Sequence, residues 1–90
     1  MSGGHFNYDQ YRIRAIIDTI QSTIDNNTRK DKWGFAYNLS EDTLMVFQQA
    51  IKVLKQAEIY TQRIDWLLSS DDSEETFHKR LKEELDDVLR

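Results

Sequence analysis

Residues 40–68 read SEDTLMVFQQAIKVLKQAEIYTQRIDWLL, and this stretch decides the fold of the chain. One apolar seam follows its whole length at alternating steps of four and three residues, the spacing of a helix face that packs on a partner helix. The members of this first seam are Val46, Ala50, Val53, Ala57, Tyr60, Ile64 and Leu67. A long helix therefore lies at the centre of the predicted fold.

A second seam on the same stretch is apolar only in its first half. It begins with Leu44, Phe47, Ile51 and Leu54, and continues through Glu58, Thr61 and Asp65 before Leu68. A carboxylate on a packing face needs a cation or hydrogen-bond donors, because burying it alone is costly. The polar half is the predicted place where packing gives way to binding.

Composition indicates one small globular domain. The chain has 90 residues, 39% of them hydrophobic and 31% charged, so a thin core is expected. It carries no apolar run of the roughly 18 residues that a membrane span needs, and no secretory signal pattern at its start. Without cysteine it has no disulfide, thiolate metal site or cysteine nucleophile. We expect a cytoplasmic protein.

The charge is acidic overall and unevenly spread. Residues 1–39 hold five Lys/Arg and four Asp/Glu, whereas residues 40–90 hold seven and twelve. This balance argues against general nucleic-acid binding, which needs clustered positive charge. The local exception is Arg29, Lys30 and Lys32, a group typical of a solvated loop, with a phosphate site as the alternative.

Two further helices are predicted around the central helix, which spans about residues 41–68 from the N-cap Ser40. Helix 1 spans about residues 8–26, with Asn7 as its N-cap and Gln10 completing a capping box. Its apolar stripe consists of Ile13, Ile16, Ile17, Ile20 and Ile24. Helix 3 spans about residues 73–89, and its stripe consists of Phe77, Leu81, Leu85, Val88 and Leu89.

These elements predict an all-α, three-helix arrangement. The short turn after the central helix folds helix 3 back antiparallel, onto the first seam. Helix 1 is left for the second seam, packed on the first half of the central helix. The antiparallel direction is favoured because it matches Ile17 to Ile51, whereas the parallel alternative buries Ile20 and Ile24 against Thr61 and Asp65.

The antiparallel arrangement predicts a polar cluster. It brings the polar half of the second seam to the start of helix 1, so that Glu58 and Asp65 face His5, Tyr8, Tyr11 and Arg12. A structural network that pins the N-terminus is the first interpretation, and a ligand site is the alternative.

An aromatic loop is predicted at residues 28–39. It alternates large and small residues, with rings at Trp33, Phe35 and Tyr37. In an extended segment these rings share one side. We interpret the loop as a lid over one end of the core, and a ring-stacking ligand site is the alternative.

Metal binding and catalysis have weak signals. His78 follows Glu74 and Glu75 on one helix face, and His5 stands apart, so too few ligands come together for a metal site. Glu58 and Asp65 lie about 10 Å apart on one face, with no nucleophile or glycine-rich loop nearby. We expect no enzyme activity, no metal and no cofactor.

The segments SGGHF (residues 2–6), RIDWL (63–67) and FHKRL (77–81) resemble motifs of a family of short uncharacterised proteins from bacteria and from phages or prophages. The resemblance covers nearly the whole chain and implies no catalytic residue. It implies an accessory factor that binds and modulates a host component or captures a small molecule.

The expected function is therefore non-enzymatic binding, with a protein as partner. A homo-oligomer is also expected, because the isoleucines of helix 1 form a stripe wider than one neighbour covers. One alternative is a nucleotide-type ligand module in which Arg12 or Lys32 binds the anion. Another is a purely structural oligomer subunit. The candidate binding residues are His5, Tyr8, Tyr11, Arg12, Glu58, Asp65, Trp66 and Trp33.

Overall fold

A computed structural model describes residue 6, residues 9–70 and residues 72–89. It contains three helices, α1 (Tyr11–Asp25), α2 (Glu41–Leu68) and α3 (Glu74–Leu89), and the described residues form no strand. Both α1 and α3 pack on α2. The prediction of an all-α, three-helix arrangement is confirmed. None of these helices carries an apolar stretch long enough to cross a membrane.

The central helix α2 has the predicted bounds. The side chain of Ser40 accepts a hydrogen bond from the backbone N–H of Thr43, which satisfies one of the free donors of the first turn. Glu41 and Asp42 follow in that turn, where the helix dipole favours negative charge. At about 1.5 Å per residue the helix is roughly 42 Å long.

The first helix starts later than the predicted residue 8, since α1 begins at Tyr11. Gln10 occupies the N-cap position, but its side chain makes no cap hydrogen bond. Its amide instead donates to Gln62 and Asp65 on α2, and these tertiary bonds replace the predicted capping box. Asn7, the predicted N-cap, lies outside the described residues.

A tight reversal joins α2 to α3. Ser70 takes a positive φ of 64°, and the backbone N–H groups of Ser69 and Ser70 close the last turn of α2. Ser73 then caps α3 by accepting from the backbone N–H of Thr76 at 3.1 Å. The reversal makes α3 antiparallel to α2, as predicted.

The hydrogen bonds between α1 and α2 show that these helices are antiparallel. Gln10 meets Gln62 and Asp65, and four residues later Arg14 meets Glu58. Further along, Ile17 and Ile51 are the buried apolar residues of the described core. The predicted direction of helix 1 and its place on the second seam are confirmed.

The prediction that α3 packs along the first seam is wrong for much of that seam. Val46, Val53 and Tyr60 remain 66%, 53% and 45% exposed. The helix is instead anchored by Arg63, a buried residue of neither seam, whose Nε and Nη2 both donate to Glu84. The guanidinium of Arg63 can reach Glu84 because α3 packs on the side of α2 that carries Arg63.

Arg63 makes two further contacts that complete this anchor. Its Nη1 lies 3.8 Å from Oδ2 of Asp72 in the reversal, and its guanidinium carbon lies 4.4 Å from the ring centroid of Trp66. The planar fork of arginine suits both a carboxylate and a ring face. One side chain therefore joins α2, the reversal and α3.

The three helices lie side by side in a single layer. Arg63 and Asp65 are two residues apart, about 200° around α2, so the helices they bind lie on opposite sides of it. The Cα atoms of α1 and α3 do not come within 8 Å of each other. The Cα atoms extend over 51 × 27 × 12 Å, and the shortest extent is less than the roughly 13–15 Å that the Cα atoms of two stacked helices would span. The radius of gyration is 16.7 Å, against about 12 Å for a compact domain of this length.

We expect Arg63→Lys to destabilise the chain although it keeps the charge. Lysine loses the forked hydrogen bonds and the planar stack on Trp66, which contribute about 1–2 kcal/mol. The melting temperature, followed by circular dichroism, should fall by about 5–10 °C. Arg80→Lys, at an exposed position of α3, is the matched control and should melt like the wild type. Equal melting of both variants would show that Arg63 does not anchor α3.

Candidate functional site

The predicted polar cluster forms around Asp65, whose side chain is fully buried. Its carboxylate accepts a hydrogen bond from the backbone N–H of Phe6 and another from the side-chain amide of Gln10, each at 3.1 Å. The same amide also donates to Gln62. Asp65 therefore ties the segment before α1 to the last turns of α2.

Glu58 forms an ion pair with α1, although its partner is not the predicted Arg12. Arg14 donates from Nε and Nη2 to the two carboxylate oxygens of Glu58, at 3.0 and 2.6 Å. Arg14 follows Gln10 by four residues and shares its side of the helix, whereas Arg12 points away. Arg12 lies near the exposed Asp9, 3.6 Å away.

An open groove of about 290 Å³ lies over α2 between α1 and α3. Its lining residues are Gln10, Tyr11, Arg14, Glu58, Gln62 and Glu84. The guanidinium of Arg14 is already held by Glu58, and Glu84 is held by Arg63. The groove thus presents paired charges, which is the chemistry of a structural network rather than of an anion site.

The structure divides the other predicted site residues between separate places. Trp66 is half-buried beneath the guanidinium of Arg63, about 100° around α2 from Asp65. Tyr11 lines the groove. His5 and Tyr8 lie outside the described residues.

The loop between α1 and α2 is closed at its neck by Asn27. The buried side chain of Asn27 donates to the carbonyl of Leu39 at 3.1 Å and accepts from the N–H of Leu39 at 2.8 Å. Its own carbonyl accepts from the N–H of Asn38, which takes a positive φ of 51°. A segment whose ends are joined in this way is an Ω-loop, and it forms the predicted aromatic loop at residues 28–39.

Asp31 fixes the tip of the aromatic loop. Its carboxylate accepts from the backbone N–H groups of Trp33 and Phe35, at 2.8 and 2.9 Å. Its own N–H donates to the carbonyl of Phe35 at 2.8 Å. Gly34 supplies the positive φ of 82° that this turn requires. The tip is therefore a defined turn.

The rings of the aromatic loop point to solvent and do not form the predicted lid. Trp33, Phe35 and Tyr37 are 79%, 57% and 59% exposed. The turn around Asp31 directs them outward, where Phe35 and Tyr37 meet edge to face at 5.2 Å. The ammonium of Lys32 lies 4.4 Å from the centroid of Trp33. The rings contact the loop itself while remaining open to a partner.

The aromatic loop is also the basic part of the molecule. Arg29, Lys30 and Lys32 are all exposed, and the nearby carboxylate of Asp31 is engaged by backbone donors. In contrast, the acidic residues of α3 outnumber its lysines and arginines by six to three. Basic charge and exposed rings thus coincide on one short segment.

The polar cluster and the aromatic loop lie at opposite ends of α1. The cluster lies at the start of this 15-residue helix and the loop leaves its end, about 22 Å away along the axis. Tyr11 and Trp33 therefore do not belong to one stacking site.

The sequence prediction missed Gln10, Arg14, Gln62, Arg63 and Glu84. A signal for three of them was present. Gln62 lies between Glu58 and Asp65 on one side of α2, and Gln10 and Arg14 are spaced to meet that side from an antiparallel helix. The pairing of Arg63 with Glu84 had no comparable signal.

Among the described residues, no group of three or more histidine or acidic side chains is placed to hold a metal ion. His78 is exposed and lies edge-on to the ring of Phe77, with centroids 5.2 Å apart.

We expect Asp65→Asn to lower the free energy of unfolding by about 2 kcal/mol. The amide cannot replace both acceptor oxygens for Phe6 and Gln10, and a buried donor without its partner is costly. The melting temperature should fall by about 10 °C. Asp18→Asn, at an exposed position of α1, should have little effect. A melting temperature equal to or above that of the wild type would contradict a tethering role for Asp65.

We expect Asn27→Ala to release the neck of the aromatic loop. Loss of the two side-chain bonds to Leu39 should cost about 1–2 kcal/mol and should speed exchange of the Leu39 amide hydrogen. Hydrogen exchange followed by NMR measures both effects. Asn26→Ala is the control, because the Asn26 amide bonds only to Ser22 in its own helix. Unchanged protection of Leu39 in the Asn27 variant would argue against the clamp.

Comparison of the chain with models of protein families, with curated proteins and with solved structures found no match. What the chain does is therefore inferred from its own geometry and chemistry.

Proposed function

We propose that this chain is a small non-enzymatic binding protein and that the aromatic loop is its binding surface for a partner protein. The proposal rests on one observation: aromatic rings of this loop are exposed to solvent while hydrogen bonds hold the loop in a defined shape. Asn27 holds the neck, Asp31 holds the tip, and Trp33, Phe35 and Tyr37 face solvent. Exposing such a surface has a cost in solubility that a binding role explains.

Fixed aromatic side chains favour binding for two physical reasons. Tryptophan and tyrosine bury a large area with few rotatable bonds, and they are enriched at the energetic centres of protein interfaces. A loop that already holds its bound shape loses little conformational entropy when a partner docks. The hydrogen bonds of Asn27 and Asp31 support that second condition directly.

Charge favours an acidic partner surface. Arg29, Lys30 and Lys32 surround the rings, so an apolar patch with acidic residues at its rim would complement the loop. Such complementarity raises the association rate and makes it sensitive to salt. The resemblance to phage and prophage proteins extends the proposal to a host protein whose activity the chain modulates.

The nucleotide-type alternative receives less support. Its rings are divided between the two ends of α1, and Trp66 is already stacked on Arg63. Arg12 lies beside Asp9, and the ammonium of Lys32 occupies one side of the Trp33 ring. These residues do not combine into one pocket.

A capture experiment tests the proposal. The biotinylated chain is exposed to bacterial lysate, and captured proteins are quantified by mass spectrometry. We expect Trp33→Ala combined with Phe35→Ala and Tyr37→Ala to reduce recovery of a specific partner at least tenfold, since hot-spot residues each contribute about 2 kcal/mol or more. The variant should keep its melting temperature, because the rings are exposed.

Two further variants sharpen this experiment. Arg29→Glu combined with Lys32→Glu should slow association with the purified partner and weaken its salt dependence. Tyr11→Ala removes an exposed ring at the other end of α1 and should leave capture unchanged. Equal recovery with the triple variant would contradict the proposal. Recovery abolished by nuclease, or a melting temperature raised by millimolar nucleotide, would favour the other ligand classes.

A further inference from the structure

The flat molecule has two unlike faces. The groove with Arg14, Glu58 and Gln62 opens on one of them. On the other, Ile13, Asp9 and Thr61 line a shallow depression together, and Thr61 lies one turn after Ala57 of the first seam. The exposed apolar residues of this side define the apolar face: Ile16, Val46, Val53, Tyr60 and Leu68.

Helix geometry explains why these residues share a face. Ile16 follows Ile13 by three residues and lies on the same side of α1. Val46, Val53 and Tyr60 recur every seventh residue along α2, with Ala50 and Ala57 between them. This is the spacing of a helix that packs against another helix, and alanine at the intervening positions permits close approach. Because Val46, Val53 and Tyr60 remain exposed, neither α1 nor α3 covers this stripe.

Local charge permits a second copy of the chain to supply that helix. The stripe is bordered by the neutral side chains of Gln49 and Gln56 on one side and by Thr61 on the other. Between Val46 and Tyr60 two identical stripes therefore meet without like charges, although each chain has a net charge of −4, and Asp42 lies at the end of the stripe, one turn before Val46. In an acidic protein, an uncharged border along the middle of the stripe favours self-association.

The accessible surface area of the chain also favours a second copy as the partner of the apolar face. The chain exposes 6724 Å², whereas a folded monomer of its mass exposes about 5,500 Å². The excess of about 1,200 Å² is spread over the whole chain and is what an elongated, flat shape produces, and a second layer over one face would bury roughly 800 Å² per partner in a standard interface. Domains are built from at least two packed layers, and one copy supplies only one layer.

We propose that the apolar face is the interface of a two-fold symmetric homodimer, in which the α2 stripes of two copies pack against each other. The dimer has two layers of helices and an apolar centre formed by Val46, Val53 and Tyr60 of both copies. The polar grooves then lie on the two outer faces.

Sedimentation of the full chain tests the dimer. We expect a mass of about 21 kDa, twice the 10.7 kDa of one chain, at micromolar and higher concentrations. Val53→Glu should sediment as a monomer with unchanged helix content. Gln48→Glu adds the same charge to an exposed position on the other side of α2 and should remain dimeric. A monomeric wild type at millimolar concentration, or a dimer that survives Val53→Glu, would overturn the proposal.

A cysteine experiment decides the matter if Val53→Glu fails to fold. The chain has no cysteine, so Ala57→Cys introduces a single thiol near the midpoint of the stripe. With the two-fold axis of the proposed dimer at this midpoint, residue 57 lies opposite its own copy, within reach of a disulfide. In oxidised glutathione, Ala57→Cys should form linked dimers at least tenfold faster than Gln48→Cys. Equal rates would reject the interface.

Discussion

The architecture depends on two oppositely charged residues of α2 whose side chains point in opposite directions. Arg63 binds Glu84 of α3, and Asp65 binds Gln10 and the backbone of Phe6. Because two residues along a helix turn the side chain by about 200°, one short segment holds its neighbours on its two flanks. A compact bundle would require both neighbours to lie on one side. The flat layer follows from this placement.

A flat layer changes what holds the chain together. Ile17 and Ile51 are the buried apolar residues of the described core, so little stability comes from close apolar packing. The paired polar groups define where each helix lies, and leaving either group without its partner costs more than the pair contributes. Stability and geometry therefore depend on the same few contacts near the end of α2.

The sequence predicted the parts of the fold that depend on apolar spacing and caps. The bounds of α2 follow from Ser40 and an uninterrupted pattern, and Ile17 opposite Ile51 was enough to orient α1. The side of α2 on which α3 packs was not predictable in this way, because the sequence alone gives no sign that Arg63 is buried and paired with Glu84. The exposure of the aromatic loop was missed because ring composition indicates burial, whereas the turn around Asp31 directs the rings outward.

The separation of anchor and loop has a consequence for binding. The aromatic loop is held by its own contacts at Asn27 and Asp31, about one helix length from Asp65, so docking there need not disturb the anchors that define the layer. If two layers pair through their apolar faces, the dimer carries two such loops on one rigid body. A partner with two matching surfaces would then bind the second loop at a high effective concentration, and modest affinity at each loop would become strong attachment overall.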